Sequence, residues 1–315
     1  MTTSNDHYFD SFAFDEAKFD QLLNGKQSQN LLYLQALLCP CRDRSTGAPT
    51  SSCVRCRGLG YTYSLPETMD YHEVFYYGSS TRSPKLQYSH STSFDLIEVK
   101  DDNDTTYPGT HVQDGILVFD SDHPAQGQMF TVSYRSPMCM RALVTNVSSQ
   151  RPVRQDMGFT EQGGFSLTFP YMTRLPGERG MVANPAFYCS EPDRFVLLDS
   201  RLVRQDVLYK GETDLLLYGF VFEALECYSV DPEGCKTVYS LGSDYVLEQS
   251  KVIWLSDRLA PGRPYAVRYL AAPEYYVHSE QPQVRHHGQK PLPRRVSVKL
   301  WSTHPRFETA GRTLS

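Results

Sequence analysis

The chain has 315 residues, a net charge of −5 and 21% charged residues, so it is neither a strongly basic nucleic-acid binder nor a highly charged disordered chain. Its hydrophobic content of 40% can support packed cores, and its length leaves room for two or three domains. With 21 tyrosines and 16 phenylalanines, the composition favours strands over helices.

Residues 1–38 are predicted to form a small N-terminal helical segment. Asp15 can cap a short helix that ends at Gly25, and a second helix is expected over 30–38, where leucines recur at helical spacing. The first residues lack the pattern of a secretory signal, and no apolar run reaches the roughly 20 residues of a membrane helix. We therefore expect synthesis in a reducing cytoplasm and no membrane association.

Four of the eight cysteines lie within eighteen residues, as Cys39-x-Cys41 and Cys53-x-x-Cys56. Two close thiol pairs joined by a short loop favour a tetrahedral zinc ion, and four sulfurs leave no position for a catalytic water. Structural disulfides are disfavoured in a reducing compartment, and four free thiols are disfavoured in so polar a loop. The sequence thus predicts a structural Zn²⁺ lobe over 39–63.

The residues from Cys53 to Gly60 read C-x-x-C-x-G-x-G, which resembles the zinc knuckles of the DnaJ cysteine-rich domain. The resemblance implies that Cys53 and Cys56 are ligands, and it does not extend to chaperone function, because DnaJ proteins carry several such knuckles. The other four cysteines share no spacing, and we expect them to be buried as small apolar residues: Cys139, Cys189, Cys227 and Cys235.

Two β domains are predicted, over 64–150 and 201–280, because a strand–turn–strand pattern repeats between them. Residues 115–134 align without a gap with residues 250–269, and each copy follows another strand-like stretch. Each copy is expected to form a β-sandwich or barrel-like unit. Whether the two are true duplicates stays open at this point.

The remaining segments are irregular in sequence. Residues 151–200 are expected to be a loop-rich connection with one strand over 165–169, and 281–315 a C-terminal arm with one strand over 296–301. The acidic run at 101–104 lacks the ligand spacing of a calcium loop and predicts a polar turn. No nucleotide-binding, hydrolase or metalloprotease motif occurs, so we expect a structural protein rather than an enzyme.

Several stretches together resemble virion proteins of tailed bacteriophages. They are the four-cysteine lobe beside tyrosine-rich β domains, the second repeat copy, and the basic, proline-containing end: 39–61, 242–277 and 283–296. The resemblance implies a neck or head–tail connector protein, with the baseplate or tail as the nearest alternative. It also implies a homo-oligomeric ring in the virion, contacting portal, neck, tail or baseplate proteins and letting DNA pass without specific binding.

A second class of function stays open from the sequence. The cysteines are flanked by arginines, which would suit a zinc-dependent nucleic-acid-binding adaptor: Arg42, Arg44, Arg55 and Arg57. Because the whole chain is acidic, solvated loop arginines are the favoured interpretation.

Overall fold

The computed structural model of the chain describes residues 15–25, 27–53, 55–56, 58–64, 67–78, 82–86, 94–113, 116–145, 164–174, 181–211, 214–280, 286–287 and 290–303. Strands dominate these residues, which confirms the predicted mainly β class with a small N-terminal helix. None of the helices in this part of the chain is long and apolar enough to cross a membrane.

The elements follow one another in this order: α1 (Glu16–Asn24), β1 (Ser28–Leu38), β2 (Tyr61–Ser64), β3 (Thr68–Tyr76), β4 (Asp95–Asp101), β5 (Thr110–Gln113), β6 (Ile116–Phe119), β7 (Met129–Pro137), β8 (Cys139–Thr145), β9 (Gly164–Phe169), β10 (Met172–Arg174), β11 (Met181–Ala183), β12 (Arg194–Leu197), β13 (Leu202–Tyr209), β14 (Val221–Val230), β15 (Lys236–Tyr239), β16 (Tyr245–Glu248), β17 (Lys251–Trp254), β18 (Pro264–Ala271), β19 (Glu274–Glu280), β20 (His286–His287), β21 (Lys290–Pro291) and β22 (Arg294–Leu300). Short 3₁₀ turns occur at Pro185–Tyr188 and Trp301–Thr303.

The N-terminal segment contains one helix and one strand. Helix α1 begins as predicted, since the Asp15 carboxylate accepts a hydrogen bond from the Lys18 amide at 3.1 Å, and Phe19 is its buried residue. The prediction of a second helix over 30–38 is wrong, because these residues belong to β1. A short leucine-rich run is compatible with the periods of a helix and of a strand. Here the pairing with distant strands stabilises the strand.

The first compact unit contains residues 1–66, 138–195 and 275–315. Its centre is a barrel of six strands in the order β12-β19-β22-β9-β8-β1, closed by pairing of β12 with β1, and β2 extends the sheet beyond β1. Its interior is apolar and includes two stacked phenylalanines, Phe169 and Phe195, with ring centroids 5.1 Å apart. The predicted strands over 165–169 and 296–301 are present as β9 and β22. Strand β22, at residues 294–300, lies between β19 and β9 in the barrel.

The second compact unit contains residues 67–137, here called the first β repeat, and 196–274, the second β repeat. In the first repeat, a sheet of order β3-β7-β4 is accompanied by the hairpin β5–β6. In the second, a sheet of order β13-β18-β14-β15 is accompanied by the hairpin β16–β17. Apart from the added edge strand β15, the strands pair in the same order along the chain.

The two repeats also share irregular details. In both, the strand beside the central one shifts register at the same place, between Leu96 and Glu98 and between Ala224 and Glu226. Gly127 and Gly262 precede the central strands with φ of 83° and 73°, and their amides donate to equivalent carbonyls at 2.6 and 2.8 Å. Such bulges and turns are specific features of a fold, so their coincidence supports a true duplication.

Each repeat packs its core on the same positions of the central strand. Tyr134 and Tyr269 are both fully buried, and the valines two residues before them are fully buried as well. The hydroxyl of Tyr269 donates to the Asp206 carboxylate at 2.7 Å, and that of Tyr134 donates to the Glu73 carboxylate. The repeat that the sequence predicted is thus a repeat of aromatic cores, each with a buried tyrosine bonded to an acid.

Buried tyrosines predict sensitivity to alkaline pH. Burial is the main cause that raises the pKa of Tyr107 and of Tyr245 to about 12, and it raises the pKa of Tyr265 and Tyr269 further. In the unfolded chain these phenols ionise near pH ~10. The stability that they contribute is therefore complete below pH ~10 and decreases as the pH rises toward their folded pKa values. We expect the urea midpoint, followed by circular dichroism, to fall between pH 9 and pH 11; an unchanged midpoint would contradict this.

Candidate metal centre

The predicted metal lobe is the loop of an antiparallel hairpin. Strand β1 leads directly into Cys39 and β2 begins at Tyr61, with Leu38 opposite Tyr61 in the register. The Cys39 amide donates to the Gly60 carbonyl at 3.0 Å and so continues the pairing by one step. The two ends of the lobe are therefore held together by β pairing, which limits how far the sulfurs can separate.

The structure brings all four predicted sulfurs together. The Sγ atoms of Cys39, Cys41, Cys53 and Cys56 lie within 4.8 Å of one another. Across the two pairs, the Cys39 and Cys53 sulfurs are 3.8 Å apart and the Cys41 and Cys56 sulfurs 3.4 Å. Zn–S bonds of about 2.3 Å in a tetrahedron place neighbouring sulfurs about 3.8 Å apart. One metal ion could therefore be bound by all four thiolates.

Tight turns hold the first pair of cysteines. The Asp43 carboxylate accepts hydrogen bonds from the Ser45 and Thr46 amides at 2.9 and 2.8 Å. Hydrogen bonds from the Ser45 hydroxyl, from these two amides and from the Thr46 hydroxyl lower the pKa of Asp43 to about 2. The Arg42 guanidinium donates to the Gly47 carbonyl at 2.8 Å and lies 4.8 Å from the centre of the Tyr61 ring. The polar loop thus folds on its own side chains and positions Cys41.

Glycines hold the second pair. The Leu59 amide donates to the Cys56 carbonyl at 2.9 Å, as the chain turns back toward β2. Gly58 and Gly60 have φ of 79° and 81°, a region that favours glycine. A Cβ at Gly58 would also come within 3.2 Å of the Ser51 carbonyl oxygen. The x-G-x-G part of the knuckle is therefore required by the backbone of the turn.

Two of the four thiols have shifted pKa values. A hydrogen bond from the Cys56 backbone lowers the pKa of Cys53 to about 6, whereas burial and a hydrogen bond with the Cys56 sulfur raise the pKa of Cys41 to about 12. Cys39 and Cys56 are buried, and the other two are half-buried. A divalent cation at the centre would stabilise all four as thiolates, which repel one another without it.

The other sequence candidates have structural explanations. Cys139, Cys189 and Cys227 are buried as predicted, but Cys235 is exposed because it lies in the turn between β14 and β15. The acidic run is a polar turn, in which the Asp101 carboxylate accepts hydrogen bonds from the Asn103 and Thr105 amides at 2.9 Å and from a tyrosine hydroxyl. Neither feature adds a second site.

A buried carboxylate that the sequence did not single out lies in the barrel unit. Asp193 accepts hydrogen bonds from the Tyr33 hydroxyl and the Ala36 amide, both at 2.7 Å, and from the Ser190 amide at 2.8 Å. These bonds attach the turn before β12 to β1, so the group is structural. Two of these three partners, Tyr33 and Ala36, are about 160 positions away in the chain, and no local pattern could have indicated them.

Comparisons with protein families and with curated proteins identify no relative of the chain. The geometry of the four sulfurs and the repeated β units are therefore the features that bear on function.

Proposed function

We propose that the chain is a structural subunit of a tailed-bacteriophage virion, in the neck or head–tail connector, and that one structural zinc ion stabilises it. The observation that carries the proposal is the four-sulfur cluster at the end of the β1–β2 hairpin. A cluster of this kind stabilises a small lobe that has too little apolar core of its own.

The donor set supports zinc as the metal. Four thiolates are soft ligands, and a tetrahedral arrangement of sulfurs suits Zn²⁺ or an iron–sulfur centre. The knuckle pattern and the spacing of the pairs are typical of structural zinc. With four protein ligands the coordination is complete, so the ion has no position for a reacting water, and its role is to hold Cys39 and Cys41 against Cys53 and Cys56.

The buried acidic side chains support a structural role. The buried Asp244 carboxylate accepts hydrogen bonds from the Ser240 amide and the Ser256 hydroxyl, both at 2.9 Å, and from Arg258. The buried Glu274 accepts one from the Gly219 amide at 2.6 Å. Like Asp101 and Asp193, these acids attach loops to the sheets. Because their oxygens are hydrogen-bonded to the backbone and side chains of these loops, the acids stabilise a rigid scaffold of the kind that an assembly subunit needs.

The position in the virion follows from the resemblance of the sequence. It favours a homo-oligomeric ring at the neck, next to portal and tail proteins, with DNA passing without specific binding; baseplate or tail is the nearest alternative. The nucleic-acid adaptor has less support, because Arg42 is engaged within the lobe. If the adaptor were correct, binding to DNA would weaken steeply with salt.

Electron microscopy of the purified full-length chain, kept reduced and supplied with zinc, tests the proposal. We expect class averages of a ring with cyclic symmetry, and a molar mass by light scattering that is a whole multiple of 35.9 kDa. A chain that stays monomeric at all concentrations and salts, or one that turns over a substrate, would contradict it.

A further inference from the structure

The outer face of the second β repeat carries apolar side chains across all four strands. One row of directly paired residues runs Val207–Ala266–Tyr228–Val238, from β13 through β18 and β14 to β15. Val207 is 63% exposed and Val238 49% exposed. A second apolar pair, Val203 with Leu270, lies four residues along the strands from Val207 and Ala266.

The first β repeat shows that the fold does not require such a face. At the position of Val203 and Leu270 it has Asp70 and Arg135, joined by an ion pair of 2.8 Å. Lys100 stands where the second repeat has Tyr228. The cores of the two repeats match while their outer faces differ, so the apolar rows are a property of the second repeat.

The charges on this face balance. In the middle row of this face, Gln205 is opposite Arg268, and Arg268 is opposite Glu226. Outside this row, the face carries Lys236 on β15 and Glu223 on β14. Two acids and two bases give this face no net charge, which does not suit nucleic acid or a strongly charged partner. The apolar row is symmetric about the line between β18 and β14, since a valine stands at each end.

We propose that this outer face binds the same face of a second copy of the chain about a twofold axis that lies between β18 and β14. In that arrangement β18 of one copy lies over β14 of the other, and Val207 lies over Val238 of the second copy. Glu226 pairs with Lys236 of its own chain at 2.5 Å. Arg268 of each copy then lies over this pair of the other copy, so every contact occurs twice. Two aligned sheets of this kind pack face to face as in a β-sandwich.

Association of the full-length chain, measured by analytical ultracentrifugation, tests this contact. We expect Val207→Glu to raise the dissociation constant by about tenfold or more, because it places a charge in the centre of an apolar row. The matched control is Val74→Glu at the equivalent position of the first repeat, where the valine is 55% exposed, and it should leave association unchanged. Unchanged association of Val207→Glu, or equal effects of both variants, would overturn the proposal.

Charge reversal gives a second test that does not depend on apolar contacts. Arg268→Glu and Glu226→Arg should each weaken self-association, because like charges then face each other across the axis. Mixed together, the two variants should associate with each other about as well as the unchanged chain, since each opposite charge is restored. Failure of the mixture to associate, with both variants folded by near-UV circular dichroism, would overturn the twofold contact. This contact pairs two copies and does not by itself generate a ring, so it is independent of the proposed ring and of the virion role.

Discussion

Replacement of Cys53 by serine is expected to remove the bound zinc and to unfold the lobe of residues 39–60, while the barrel stays folded. A serine hydroxyl is a poor zinc ligand, and the remaining three sulfurs leave the coordination incomplete. Metal binding and folding are one process in small zinc units, with apparent binding energies of about 10–16 kcal/mol in zinc-finger peptides. The barrel has its own apolar interior, so only the lobe and β2 depend on the metal.

Elemental analysis and hydrogen exchange measure this outcome. We expect about one zinc per unchanged chain, nearly none in Cys53→Ser, and lost amide protection confined to the lobe and β2. Cys235→Ser is the matched control, since Cys235 is exposed and lies outside the cluster, and it should keep both zinc and protection. A Cys53→Ser protein with full zinc and unchanged exchange would show that the four sulfurs are not a metal site.

The four-sulfur cluster could be predicted from the sequence because it is local. Its four sulfurs come from eighteen consecutive residues, and Gly58 and Gly60 mark the turn that presents Cys53 and Cys56. The repeats were also predictable, since residues that fill equivalent core positions keep their character. The residues that form the cluster lie within one short segment, and the residues that form the two repeat cores recur at a fixed spacing along the chain.

The barrel could not be predicted in the same way. Its strands come from three distant parts of the chain, and β1 pairs with β8 more than 100 positions away. The spacing of the leucines in residues 30–38 is compatible with a helix and with a strand. It predicts a helix, and only the pairing with distant strands shows that a strand forms. Asp193 and Tyr33 illustrate the same limit, because the structural role of each depends on a hydrogen bond to the other across 160 positions of the chain.

Replacement of Tyr269 by alanine is expected to destabilise the second β repeat by about 3–5 kcal/mol, the range for large aromatic rings removed from a core. The ring is fully buried at the centre of the sheet, and its hydroxyl donates to the Asp206 carboxylate at 2.7 Å. Alanine leaves a cavity, and it leaves that carboxylate oxygen with the Leu217 amide as its remaining described donor. Tyr269→Phe keeps the ring and loses one hydrogen bond, so it should cost only about 1–2 kcal/mol.

Tyr134 provides the matched test in the first β repeat, because it holds the equivalent position and is equally buried. If the two repeats are duplicates with the same core, Tyr134→Ala should cost about as much as Tyr269→Ala in urea unfolding. In hydrogen exchange, protection should be lost in the mutated repeat. Two alanine variants whose costs differ by more than about 2 kcal/mol would contradict a shared aromatic core. A phenylalanine variant as damaging as the alanine one would also contradict it, since the cost would then come from the lost hydrogen bond to the acid rather than from the packed ring.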